Sequence, residues 1–121
     1  MFVRQYGDGA RAFLCLHGWS GDSGSFRALE SFMPGDARLL MADLPGCGSS
    51  PQPCDWSLGA ITRQIARCIE TTDSSSVTLV GNCIGALLGL CVARERPDSR
   101  TAPRPCLIVW LNPVVSASIS G

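Results

Sequence analysis

Histidine, the residue that most often acts as a catalytic base, is scarce in this chain. The 121 residues include one, His17. Nucleophilic catalysis by a serine or cysteine normally depends on an imidazole that accepts the nucleophile's proton. A nucleophile, base and acid set must therefore use His17 or be incomplete within this sequence.

The chain also lacks a net charge, a long apolar run and a leader-like start. Ten basic and ten acidic residues cancel, so neither a nucleic-acid partner nor an anionic membrane surface is indicated. The opening residues 1–6 lack the apolar stretch of a signal peptide, and no segment is long and apolar enough to span a bilayer. We therefore expect a cytoplasmic protein with no nucleic-acid or membrane partner.

The seven cysteines do not form a recognisable framework. Their number is odd, no Cys-x-x-Cys pair occurs, and the chain has one histidine. These features argue against zinc and against a set of disulfides. We expect no metal and no cofactor, and a reducing environment.

What the sequence does contain is an alternation of strand and helix patterns in one modest domain. The strand-like runs are continuously apolar, which is typical of parallel strands covered on both faces. They span residues 12–16, 38–42, 77–80 and 106–111. Helical patterns between them begin after Ser25, after Ser57 and at Ile84, the last continuing to about Arg96. The sequence predicts an α/β fold with a parallel, doubly wound sheet of about four strands.

The segment Gly81-Asn82-Cys83-Ile84-Gly85, called the elbow below, joins the third run directly to an apolar helix. A strand can turn into a helix within one residue only if that residue accepts a strained backbone and its neighbours two positions away are nearly free of side chains. Gly81 and Gly85 meet that need. Cys83 would then stand at a helix N-terminus, where the helix dipole favours a thiolate.

The elbow resembles the nucleophile elbow of the α/β-hydrolase fold superfamily, with cysteine where serine is usual. The exit of the first strand, Leu16-His17-Gly18-Trp19, resembles the family's His-Gly turn. The resemblance implies Cys83 as the nucleophile and the Trp19 and Ile84 amides as oxyanion-hole donors. It implies supporting roles for five further residues: His17, Gly18, Gly81, Asn82 and Gly85.

A third motif, Asp43 to Ser50, resembles the family's Asp-x-x-Gly-x-Gly-x-Ser loop. It lacks the Gly-Lys-Ser/Thr ending of a phosphate loop. We interpret Asp43 as a structural loop residue and His17 as a support of the oxyanion turn, not as the triad acid and base. Asn112 stands where some family members keep an acid, and an amide cannot stabilise an imidazolium as a carboxylate does.

The resemblance covers the N-terminal part of the family's domain, over residues 1–121. The cap, the later strands and the loops that carry the acid and base are expected beyond Gly121. A complete version would open an ester, a thioester or a similar carbonyl compound through a Cys83 acyl-enzyme. Two alternatives stay open: an acyltransferase or thioesterase that passes the acyl group to an acceptor other than water, and a non-catalytic truncated fold that binds a ligand or partner.

Two further expectations concern apolar surfaces. The run 106–111 is internal in the family's strand order, so we expect it to pair with a second copy or with a complementing chain. Trp19, Phe26 and Trp110 could line an apolar pocket, although packing in the core explains them equally well.

Overall fold

A computed structural model describes residues 1–19, 21–74 and 76–95, together with the backbone of residues 104–111. Within these residues, five strands form one sheet in the order β1-β3-β2-β4-β5. The strands are β1 (Val3–Tyr6), β2 (Arg11–Leu16), β3 (Ala37–Ala42), β4 (Ser76–Asn82) and β5 (Arg104–Leu111). The helices are α1 (Leu58–Glu70) and α2 (Ile84–Glu95), and a 3₁₀ segment spans Ser23–Phe32. No helix in the described ranges is long and apolar enough to cross a membrane.

The four predicted strands are present and parallel to one another, whereas β1 was not predicted. β2 pairs in parallel with β3 on one side and with β4 on the other, and β4 pairs in parallel with β5. β1 pairs antiparallel with β3, from Val3 opposite Ala42 to Tyr6 opposite Leu39. It has four residues, most of them exposed. Such a short edge strand has no continuous apolar run that a sequence pattern could reveal.

The helix predicted to begin after Ser25 differs from the structure in type and in cap. The segment is 3₁₀, and its N-cap is Asp22, whose side chain accepts a hydrogen bond from Gly24 N–H at 2.8 Å. Ser25 lies inside the first turn, where its N–H donates to Asp22 O at 3.1 Å. The segment ends at Phe32 because Met33 is extended, as expected of a residue that precedes a proline.

The other two helices follow the sequence pattern. Ser57 caps α1, and its hydroxyl accepts a hydrogen bond from Ala60 N–H at 3.2 Å. α2 begins at Ile84, as predicted, and is described to Glu95; the predicted end at Arg96 lies outside the described residues.

The sheet is covered on both faces, so the core has two parts. One face packs against α1 and α2 in a cluster that includes Leu14, Leu16 and Leu79. The other face packs against the 3₁₀ segment through Phe26, which is buried with Cys15 and other residues. Of the two alternatives left open for Phe26, the structure shows packing in the core, because the residue is 4% exposed and lies in the second core cluster.

Candidate active site

The elbow is a strand-to-helix turn of one residue. β4 ends at Asn82, α2 begins at Ile84, and Cys83 between them has a φ of 56°. Cys83 is the one non-glycine residue with positive φ in the described part of the chain. An L-residue in this left-handed region is strained, and such strain persists where the surrounding structure fixes it, often at functional sites.

The glycines that flank Cys83 allow close contacts between backbones. A Cβ on Gly81 would lie 2.5 Å from Ala86 N. A Cβ on Gly85 would lie 2.6 Å from His17 O and closer still to Leu16 O. Neither site has room for a side chain, so α2 packs directly on the ends of β4 and β2.

The turn after β2 lies against the elbow because β2 and β4 are neighbouring parallel strands. Leu16 is opposite Gly81 in their register, so the carboxyl ends of the two strands meet. A Cβ placed on Gly18 would be 3.1 Å from the Cβ of Cys83. The sequence elements predicted to form one site, residues 17–19 and 81–85, are therefore brought together.

Two backbone amides border this contact. Ile84 is the first residue of α2, so its N–H has no intrahelical acceptor. The turn after β2 is closed by a hydrogen bond from Gly21 N–H to Gly18 O at 3.1 Å. Trp19 N–H takes part in no backbone hydrogen bond with another described residue. Neither of these N–H groups donates a backbone hydrogen bond to another described residue.

His17 is buried, with 1% of its surface exposed, and both ring nitrogens are used. Nδ1 lies 2.8 Å from Gly18 O, which can only accept, so Nδ1 carries the proton. Nε2 accepts a hydrogen bond from Leu44 N–H at 3.0 Å. The ring joins the turn after β2 to the loop after β3, and neither nitrogen is left to take a proton from a nucleophile.

Asp43 also holds backbone together. It is 3% exposed, and its carboxylate oxygens accept hydrogen bonds from Ser23 N–H at 2.6 Å and from Ser49 N–H at 2.9 Å. Burial raises the pKa of this carboxyl, but the hydrogen bonds from Ser49 and Ser23 outweigh it, and the pKa is lowered overall. The carboxylate therefore links the start of the 3₁₀ segment to the loop after β3.

Three thiols outside the elbow have raised pKa values. The six cysteines with described side chains are all free. Burial raises the pKa of Cys15 to about 12. Burial also raises the pKa of Cys47, with a further contribution from the negative charges of Asp43 and Asp22. Burial disfavours the thiolate of Cys68 in the same way by raising its pKa.

A cavity of about 430 Å³ opens beside the turn after β2. Its lining is almost entirely apolar and consists of His17, Gly18, Trp19, Leu44, Pro45, Cys47, Trp56, Leu58, Ile61, Ile84 and Leu88. The expectation for Trp19 agrees with this placement; the side chain of Trp110 lies outside the described residues. Trp56 and Leu58 were not predicted; their signal in the sequence is that two apolar residues flank the helix cap Ser57.

Two further observations concern polar and metal-binding groups. The side-chain oxygen of Asn82 is buried and has no hydrogen-bond partner within the described ranges. No group of three side chains suited to a metal ion occurs in the same part of the molecule. Asn112, considered above as a replacement for an acid, lies outside the described residues.

A mostly parallel sheet with a one-residue elbow between strand and helix is the arrangement of the α/β-hydrolase fold. Residues 11–100 match the α/β hydrolase fold family, and the chain belongs to it. A serine hydrolase-like protein of Danio rerio is 32% identical over 78 residues, which cover 62% of this chain and 24% of that protein. A pimeloyl-acyl-carrier-protein methyl ester esterase of Methylococcus capsulatus is 29% identical over 99 residues, covering 82% of this chain and 37% of the relative.

Solved structures give the same fold. An epoxide hydrolase from Bacillus megaterium superimposes with a TM-score of 0.80 at 24% identity, over 93% of this chain and 38% of its own. The chain thus spans well under half the length of the proteins it resembles.

Proposed function

We propose that Cys83 is the nucleophile of a hydrolase that acts on esters, thioesters or similar carbonyl compounds. The observation that carries the proposal is the φ of 56° at Cys83, between β4 and α2. This strained turn places the thiol at the N-terminus of a helix, where the dipole stabilises negative charge. A cysteine needs less help from a base than a serine does, because a thiol ionises far more readily.

In the proposed reaction the Cys83 thiolate attacks the carbonyl carbon and a sulfur–carbon bond forms. The amides of Trp19 and Ile84 hold the oxygen as it becomes negative. The bond to the leaving alcohol or thiol then breaks, the leaving group departs with the bonding electrons and takes a proton from water, and an acyl-thioester remains on Cys83.

Release of the acyl group sets the limit on turnover. Water attacks a thioester efficiently only with a positioned base, and both nitrogens of His17 are already hydrogen bonded. We therefore expect this chain to be acylated about once and to release the product slowly. Passing the acyl group to an acceptor other than water would share the same first step. A protein that only binds ligands would not be acylated at all.

The name of one relative, a methyl ester esterase, supports an ester as the substrate of this chain. The free thiols of the described cysteines also fit the reducing environment of the cytoplasm, which we propose as the location.

A burst assay with p-nitrophenyl acetate tests the proposal. The wild-type chain should release about one equivalent of nitrophenolate rapidly and then react slowly. Cys83→Ala should abolish the burst, whereas Cys54→Ala, which removes an exposed thiol, should retain it. A burst that survives Cys83→Ala, or no burst in the wild type, would contradict the proposal.

A further inference from the structure

We infer that the site selects substrates with an uncharged, apolar acyl group. Trp56 determines how the rate of acylation depends on the length of that acyl group. This inference rests on the proposed role of Cys83. It concerns the cavity of about 430 Å³ next to the elbow, a size within the usual range for small-molecule sites.

The position of the cavity connects it to the reaction. Gly18, Trp19 and Ile84 all line it. Gly18 and Ile84 adjoin Cys83, and Trp19 and Ile84 carry the amides assigned to the oxyanion. A carbonyl held by those amides has its substituents directed either into the cavity or out to solvent. The acyl chain is the substituent that stays on Cys83 after the leaving group departs, so we assign the cavity to it.

The chemistry of the lining decides which acyl groups fit. No charged side chain lines the cavity in the described structure. The one polar ring, His17, has both nitrogens engaged. A carboxylate or ammonium group on the substrate would lose its water and gain no partner, which is costly. A hydrocarbon chain instead gains about fourfold in affinity for each methylene removed from water.

Trp56 lines the cavity next to a backbone segment that local hydrogen bonds hold in place. The Asp55 side chain accepts a hydrogen bond from Ser57 N–H at 2.8 Å, and Ser57 in turn caps α1 through Ala60 N–H. These two bonds fix the backbone on the C-terminal side of Trp56.

The ring of Trp56 rests on the loop after β3. A Cβ added at Gly46 would lie 2.5 Å from Cη2 of Trp56, so the ring reaches the backbone there because position 46 has no side chain. The ring is nonetheless 61% exposed, and Trp19, also in the lining, is 81% exposed. An acyl chain in the cavity would cover apolar surface that now faces water, which is a favourable change.

The kinetic test compares p-nitrophenyl acetate, butyrate and hexanoate as acylating agents of Cys83. The wild-type second-order rate constant should rise about three- to fourfold per methylene. The hemisuccinate ester, which carries a carboxylate, should react more slowly than the butyrate. Trp56→Ala should flatten the dependence on chain length, whereas Phe32→Ala, which truncates an 81% exposed ring outside the cavity, should preserve it.

A second variant acts on the ring from the loop after β3. Gly46→Ala places a methyl group 2.5 Å from Cη2 of Trp56 and, because Gly46 has a φ of 80°, also strains the loop; both effects displace the cavity wall, so the dependence on chain length should weaken. Circular dichroism of each variant establishes that it is folded before rates are compared.

A measurement of ligand binding without acylation tests this inference separately from the proposed role of Cys83. Cys83→Ala protein cannot be acylated there, and the unreactive ketones 2-butanone and 2-octanone report binding to the cavity alone by titration calorimetry. We expect 2-octanone to bind at least tenfold more tightly, and the difference to shrink when Trp56→Ala is added. Equal binding of both ketones, or a preference that Trp56→Ala leaves intact, overturns the inference. Length-dependent binding without acylation of Cys83 in the wild type supports the cavity assignment and overturns only the proposed nucleophile.

Discussion

Replacing Gly85 by alanine should separate α2 from β2 and disturb the elbow. The added Cβ would lie 2.6 Å from His17 O and closer to Leu16 O. Because both are backbone atoms, rotation of a side chain cannot relieve the steric conflict, so α2 must move. Overpacking in a core costs about 1–3 kcal/mol and occasionally more; with rigid backbone on the opposing side we expect about 3 kcal/mol. That is a large part of the roughly 5–15 kcal/mol that stabilises a typical domain.

Gly89→Ala is the matched control in the same helix. A Cβ there would lie 3.6 Å from Leu16 Cδ1 and 3.7 Å from Leu79 Cδ1, which are ordinary contacts. Removing a glycine from a helix interior gains about 0.5–1 kcal/mol. Gly89→Ala should therefore be as stable as the wild type or more so.

Urea unfolding followed by circular dichroism measures both free energies, and alkylation by iodoacetamide reports the exposure of Cys83. Gly85→Ala should lower the free energy of unfolding and change the alkylation rate of Cys83. The reasoning about the elbow is refuted if Gly85→Ala and Gly89→Ala are equally stable and alkylate at the same rate.

Three other predictions follow from the site and the sheet. Cys83→Ser should not be acylated by p-nitrophenyl acetate, because a hydroxyl needs a base and the nitrogens of His17 are engaged; a serine burst close to the wild-type burst would show that a base is present. The pKa of Asp43 is lowered on folding, so its contribution to stability is complete above the ordinary carboxyl pKa of about 4 and is lost as the pH falls through the folded value. Urea unfolding of the wild type should therefore show a fall in the free energy of unfolding at acid pH, and Asp43→Asn should show a smaller fall. Identical pH profiles of the two proteins would contradict this prediction. The apolar run 106–111 lies in β5, at the end of the described sheet, so sedimentation at micromolar concentration should show association, whereas a stable monomer would contradict that expectation.

The part of the fold that the sequence revealed depends on short-range constraints. The apolar runs of β2, β3 and β4 are long enough to show a pattern, and Ser57 is a recognisable cap. The elbow was predictable because Gly81, Cys83 and Gly85 are neighbours in the chain, and the steric conflict that requires glycine there arises from the turn itself.

The parts that the sequence did not reveal depend on contacts between distant segments. β1 forms because it pairs with the edge of β3, which is distant in the sequence. The cap of the 3₁₀ segment is an exception, because Asp22 and Gly24 are neighbours in the chain. The cavity wall depends on a contact between Gly46 and the ring of Trp56. The residues next to each of them in the sequence do not indicate that contact.

Mapping the acyl group by mass spectrometry tests the central claim most directly. The full chain is treated with p-nitrophenyl butyrate, quenched in acid, digested and analysed for a butyryl group on each cysteine peptide. We expect about one butyryl group per chain, carried by the peptide that contains Cys83 and absent from Cys83→Ala protein. Butyrylation of Cys47 or Cys54 in preference to Cys83, or none at all, would contradict the assignment of Cys83 as the nucleophile.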